Sequence, residues 1–472
     1  MFLSQIIAAI IVLVLFRLFF WPKSKHWLLF ILSLIAVYWF QTPSSIRTLG
    51  FWLPTILLFF SVFSWIIFTR HEKINKPDNV IALFIILLFP FIFYLFKQFG
   101  FSFASQISNM PNISYFVLIT GVLALFLFWL YKNPGKFSVI TALMVFTLIL
   151  FLVILKNQTL SKHLSSFLRQ FTGQSTSLAS SFDIAWVGFS YFTFRLIHAL
   201  VERERLNRID ISLRDFVTYL IFFPAFTAGP IDRLDRFASE LNKPEENSLN
   251  DDFVNGGMRI IKGLFQKFIL ADSLALISLN SYSANLVTKS EWLWIGLYAY
   301  AFRIFFDFSG YTDIAIGISR LAGITLPENF KRPYLSKNIT QFWNNWHITM
   351  TQWFRTYYFN PVTRYFRSKN KNISPAMLIM AVQISTMVLI GLWHGISWNF
   401  VMWGLWNGIG LFIHNRWSEV IMPKLIFLSK KPFANPYSIF SMLLTFNFIA
   451  LGWVWFSLPS LAESLMVFSK LF

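Results

Sequence analysis

Two histidines have surroundings that could turn them to chemistry. His394 lies in MVLIGLWHGISWNF, Met387 to Phe400, within a run from Ile373 to His414 that holds no Asp, Glu, Lys or Arg. A bilayer helix gains nothing from an imidazole unless something polar uses it, so a histidine there is a functional candidate. Imidazole titrates near neutrality and can take a proton from a hydroxyl as a general base, and desolvation favours the neutral form this needs. The competing reading is a hydrogen-bonded packing histidine. His347 is the second candidate, in TQFWNNWHITMTQWFRTYYF, Thr340 to Phe359. As one amphipathic helix, this segment puts Trp346, Met350, Trp353, Phe354 and Tyr357 on one face. Asn344, His347, Thr351 and Arg355 then form a narrower polar stripe, either on an interfacial helix or on the wall of a hydrated cavity.

Other groups invite structural readings. Arg303 and Asp307 are four residues apart in AYAFRIFFDF, with Asp313 soon after. Intramembrane charges are costly unless neutralised, so Arg303 and Asp307 are expected to form a structural ion pair. Arg195 and His198, beside ERER, read as interface anchors. His26, His71, His163 and His414 fall at span ends or in loops and carry no functional expectation. GLWHG at Gly391 and GLWNG at Gly404 share the G-x-x-x-G spacing that lets membrane helices approach closely, so their glycines read as packing residues.

The elements that hold these groups are set by composition. Of 472 residues, 56% are hydrophobic, 19% aromatic and only 13% charged, which implies a polytopic, all-α membrane protein. Candidate spans are 2–20, 27–40, 50–69, 79–96, 114–131, 137–155, 183–199, 215–231, 253–280, 291–308, 373–394, 397–414 and 437–457, roughly 11–13 crossings of about 20 residues. The stretch 311–323 is too short to cross. No soluble domain or removable signal is evident, so residues 1–472 read as one integral membrane domain. The net charge of +19 falls in short loops, where positive-inside bias explains it without nucleic acid. Lys23 and Lys25, then Arg70, Lys73 and Lys76, then Lys132 and Lys136 occupy alternate connections, which places the N-terminus outside the cytoplasm. The basic stretches Arg203 to Arg214 and Arg364 to Lys371 are then cytoplasmic, and Lys243 to Asp252 reads as a solvated loop.

The absence of cysteine excludes disulfides, thiolate metal sites and a cysteine acyl intermediate. No G-x-S-x-G elbow, Walker loop or H-E-x-x-H is present, so a serine hydrolase, an ATPase and a zincin are all unsupported, and no metal site is expected.

Four blocks carry a resemblance: FFPAFTAGPIDR (Phe222 to Arg233), FDFSGYTDIAIG (Phe306 to Gly317), NFKRPYLSKNITQFWNNWHITMTQWFR (Asn329 to Arg355) and GLWHGISWNFVMWGLWNG (Gly391 to Gly408). They lie within about Ser190 to His414, and the chain resembles the membrane-bound O-acyltransferase family there. The likeness is to its bacterial branch of alginate O-acetylases and teichoic acid D-alanyl transferases. It implies a ring of tilted helices around a thin centre pierced by a tunnel, in the bacterial cytoplasmic membrane. The family's two characteristic histidines match His347 and His394, with His394 the catalytic one. Its implied chemistry is transfer of an acyl group, acetyl foremost, from a cytoplasmic thioester to a hydroxyl outside. His347, with Asn344, Asn345 or Arg355, would orient the donor or stabilise the oxyanion. No cofactor is implied beyond that cosubstrate, either acetyl-CoA or an acidic acyl-carrier protein docking on basic loops. Besides membrane lipids, the implied partners are an extracytoplasmic glycan or an acyl-relay protein. After Arg355 the alginate branch continues into an aspartate and a Y-I-P-L-G-G turn, whereas this chain reads TYYFNPVTRYFR. Competing classes are a proton-coupled transporter using the histidines as a relay, and a noncatalytic scaffold of an export complex.

Overall fold

The computed structural model describes residues 3–19, 24–69, 74–99, 111–132, 137–206, 210–243, 249–369, 372–429 and 434–472. Lys23, Arg70, His71, Lys73, Lys136 and Lys371, and residues 244–248 of the Lys243 to Asp252 loop, lie outside them. The chain divides into two compact units. The first comprises 1–258 and 315–326, the second 259–314 and 327–472. The described residues are helical with no strand, apart from one isolated antiparallel bridge between Phe330 and Trp346.

In the first unit, uninterrupted apolar runs form helices α1 (Leu3–Phe19), α2 (Lys25–Trp39), α3 (Leu49–Phe68), α4 (Pro77–Gln98), α5 (Ile113–Lys132) and α6 (Phe137–Lys156). Among the described residues four helices are long and apolar enough to cross a membrane, and two of them belong here, within α3 and α6. Pro54 and Pro90 sit inside α3 and α4, as membrane helices tolerate when neighbours re-satisfy the freed backbone groups. The amphipathic α7 (Gln158–Phe171) precedes α8 (Phe189–Val201).

Several expectations are corrected in this unit. The stretch 215–231 is no span: α9 (Leu213–Ile221) has only nine residues, about 14 Å at 1.5 Å per residue. Pro224, Gly229 and Pro230 then break the helix into turns. Those turns leave main-chain carbonyls without helical partners, and that is where Arg195 goes. It is 1% exposed and donates to the carbonyls of Tyr219, Leu220, Ala225 and Pro230 at 3.0–3.3 Å. His198, also buried, accepts from the Leu234 N–H at 3.0 Å. Neither is an interface anchor; Arg195 pins the FFPAFTAGPIDR block to α8, and His198 pins the residue that follows it. Asp252 is likewise not solvated. It is buried on α10 (Leu249–Phe265) and pairs with the buried Arg17 at 2.6 Å.

The second unit shares α10 and α11 (Ser290–Leu321) with the first through chain connectivity. The 32 residues of α11 run about 48 Å, so 291–308 and 311–323 are one continuous helix. Beyond it come α12 (Ile339–Asn345), α13 (Ile348–Phe354), α14 (Asn360–Lys369), α15 (Pro375–His394), α16 (Trp398–Arg416), α17 (Ala434–Ser457) and α18 (Leu461–Leu471). The other two helices able to cross a membrane lie in α15 and α17. The glycine expectation is met at the α15–α16 hairpin. A Cβ added at Gly391 would lie 2.2 Å from the Phe400 carbonyl oxygen, and one at Gly408 would lie 2.7 Å from the Ile384 Cα.

The expected Arg303–Asp307 pair does not form. Lys267 takes Asp307, and Arg303 donates to the Ser278 hydroxyl at 3.1 Å. Four-residue spacing brings two side chains to one helix face, but a partner on a packed neighbour can outcompete it. Asp313 is held by Arg259 at 2.6 Å and Lys262 at 2.9 Å. A Lys267→Ala variant is therefore expected to lower thermal stability more than Arg303→Ala does, as melting of the detergent-purified protein would show.

Candidate active site

The segment around His347 is not one helix. α12 ends at Asn345, the chain bends through Trp346 and His347, and α13 begins at Ile348. The break is stabilised by backbone pairing with the segment after α11. The Lys331 N–H donates to the Asn345 carbonyl and the Ile348 N–H to the Asn329 carbonyl, both at 3.0 Å, flanking the Phe330–Trp346 bridge. His347 takes φ +44° at this bend. Glycine would adopt that conformation without steric cost, whereas an L-residue pays about 1–3 kcal/mol. Retaining an imidazole in a strained, buried position points to a use for its ring.

The ring is fixed on one edge and unengaged on the other. Asn329, fully buried, accepts through Oδ1 from the Thr349 N–H at 3.2 Å and the Thr349 hydroxyl at 2.8 Å. Those donors orient the amide, so His347 Nδ1, 3.2 Å from the same oxygen, must carry the proton and donate. Nε2 is then the bare nitrogen. It is buried and has no hydrogen-bond partner among the described residues. Complete burial with no compensating charge holds His347 below the ordinary histidine pKa range, which keeps it neutral. The imidazole lies edge-on to Phe308, with ring centroids 4.7 Å apart.

His394 ends α15 and is half-buried. Its ring packs among Trp393 at 4.6 Å, Phe456 at 4.9 Å, Trp403 at 5.8 Å and Phe400 at 6.2 Å. Trp393 also meets His347, at 6.1 Å. One indole thus separates two imidazoles from helices far apart in sequence, inside a single compact unit. Low-polarity walls strengthen any hydrogen bond a bound substrate makes there.

The remaining sequence candidates fall elsewhere. Asn344 accepts from Arg355 at 2.6 Å on the exposed side of α12, and Asn345 donates to Ser336 at 3.3 Å. None of the three is among the described contacts of His347. Sequence reasoning missed Asn329, which sits 18 residues before His347. The only available signal was that it opens the same block. Among the described residues no three His, Asp or Glu side chains converge as metal ligands would.

Removing the Asn329 amide should free the imidazole to change tautomer and leave Nδ1 unpaired. Asn329→Ala is expected to slow turnover by about 10- to 100-fold, matching the roughly 1–3 kcal/mol of a buried unsatisfied group. Asn329→Asp, which keeps the acceptor, is expected to recover part of the rate. Equal rates for Asn329→Ala and wild type would remove the tautomer role.

A chain with four membrane-capable helices among its described residues, and with two imidazoles packed against one indole, has the make-up of a membrane protein. It belongs to the membrane-bound O-acyltransferase family, whose model matches residues 77–455. Three relatives illustrate its range. A probable alginate O-acetylase of Pseudomonas syringae is 31% identical over 287 residues, 61% of this chain and 51% of the relative. A teichoic acid D-alanyltransferase of Streptococcus thermophilus is 31% identical over 243 residues, 49% of this chain and 57% of the relative. A peptidoglycan O-acetyltransferase of Helicobacter pylori is 33% identical over 254 residues, 54% of this chain and 45% of the relative. The matched region thus spans about half the length of each.

Proposed function

We propose that this protein transfers an acyl group, acetyl foremost, from a cytoplasmic thioester to a hydroxyl of an extracytoplasmic glycan or of a relay protein. The observation that carries this reading is the pair of imidazoles flanking Trp393, one of them with a bare, buried nitrogen. His394 takes the hydroxyl proton as the oxygen attacks the thioester carbonyl, the C–S bond breaks, and the proton passes to the departing thiolate. His347 presents a lone pair at Nε2, so it acts as an acceptor that holds the incoming hydroxyl or the donor's amide N–H. A neutral ring with Nδ1 committed to Asn329 has no proton left to give an oxyanion. Stabilising that oxyanion falls to other donors, and Asn344 and Arg355, paired with each other on the exposed side of α12, are not placed to supply them. Carrying the acyl group alone through the membrane avoids moving a charged carrier. The protein would sit in the bacterial cytoplasmic membrane with its N-terminus outside.

The D-alanyltransferase relatives support a second reading of the same chemistry, D-alanyl transfer to teichoic acid from a carrier protein. NMR of surface glycans from cells with and without the gene separates the two, since acetyl and D-alanyl esters give different signals. Gain of either ester supports acyl transfer. Loss of neither on deletion would favour the transporter or scaffold reading.

A further inference from the structure

The second unit carries a groove unconnected with the described contacts of either site histidine. It has a volume of about 770 Å³ and runs between α16, α17 and the start of α12. Ile339, Ile413, Trp417, Phe440, Leu444 and Phe448 give it an apolar floor and walls. Its rim is exposed: Ile413 is 60% accessible, Phe440 62% and Leu444 60%. Phe440 and Leu444 lie on α17, a helix long and apolar enough to cross a membrane, so this rim faces hydrocarbon, and an apolar groove opening there fills with a lipid chain rather than water.

The groove has one polar end. Lys337 and Asn338 stand at the start of α12, and no acidic residue among the described ones lines the groove. Lys337 is exposed, and the nearby Glu419 is already paired with Arg416. His414 is not available as a base or an anion ligand. Its Nδ1 meets the Thr340 hydroxyl at 3.0 Å and its Nε2 the Ser418 hydroxyl at 3.2 Å. It is a strut that ties α12 to α16. The floor is equally tight, for a Cβ added at Gly410 would lie 2.4 Å from the Phe448 ring and 3.0 Å from the Ile339 side chain.

We propose that this groove binds an anionic phospholipid, with an acyl chain along Ile413, Leu444 and Phe448 and its phosphate on Lys337 and the Asn338 amide. Occupancy would brace α12, the helix that leads into the His347 bend, and so couple membrane composition to the order of the site. The charge argument decides the headgroup: both lipid classes offer a phosphodiester to the exposed ammonium, but a zwitterion brings a second cation beside Lys337 with no carboxylate in the lining to receive it, so the net-anionic headgroup is favoured.

Native mass spectrometry of the detergent-purified full chain, given phosphatidylglycerol or phosphatidylcholine of identical chains, tests this without reference to acyl transfer. Wild type is expected to retain phosphatidylglycerol preferentially and to melt at a higher temperature with it. Lys337→Glu, on an exposed side chain, is expected to weaken that retention about tenfold or more. Ser441→Trp, which fills the groove, is expected to reduce retention of both lipids. Equal retention of phosphatidylglycerol by wild type and Lys337→Glu would overturn the proposal. So would equal uptake of the two lipids, or protection by inorganic phosphate alone.

Discussion

His394→Ala is expected to cut acyl transfer by about 10²- to 10⁴-fold, the range for losing a positioned general base, while the protein still inserts and folds. The ring is only half-buried and makes its described contacts with aromatic side chains. Its removal therefore costs some packing and leaves the α15–α16 hairpin glycines, which set the helix separation, untouched. His394→Gln sharpens the test. It restores a hydrogen-bonding side chain of similar reach but cannot take up a proton at neutral pH, so it should remain as slow as alanine. The rate is best measured as thioester consumed and ester formed by protein in nanodiscs, at matched monodisperse yield. A rate within about threefold of wild type for both variants would move the general base elsewhere, with the bare Nε2 of His347 as the next candidate.

The sequence exposed the pair of histidines and hid their roles. His394 was legible because nothing charged lies near it in the chain, and the glycines because their four-residue spacing has one physical meaning in a membrane helix. The bend at His347 was not legible. Helical periodicity runs smoothly through WNNWHITM, and what interrupts it is pairing with Phe330 and its neighbours. A contact that distant overrides local pattern without leaving a mark on it. The same holds for Lys267, which takes Asp307 from outside its helix. Arg195 was misread for a related reason. A basic residue beside ERER looks like an anchor, and only the folded end of α9 and the turns after it reveal the four carbonyls, Tyr219, Leu220, Ala225 and Pro230, that take its guanidinium. Asn329 had no signal of its own, since what marks it is the folded contact of its side-chain oxygen with the His347 ring.

Gly404→Val should be the most damaging substitution for stability among those considered. A Cβ there would lie 2.5 Å from the Val388 Cα and 2.7 Å from the Met387 carbonyl oxygen, and backbone atoms cannot rotate aside as a flexible side chain can. The cost is about 1–3 kcal/mol or more for overpacking a tight interface, to be read as a lower melting temperature in detergent. Gly257→Ala is the control. Nothing lies within 4 Å of its added Cβ, and trading glycine for alanine within a helix should raise stability by roughly 0.5–1 kcal/mol. The α15–α16 hairpin also holds His394 at its corner and Trp403 against it. Forcing the two helices apart by even 1 Å should therefore lower turnover about 10²-fold in whatever fraction remains folded. A Gly404→Val protein that melts with wild type would mean that the hairpin separates freely and that its glycines do not position the histidine.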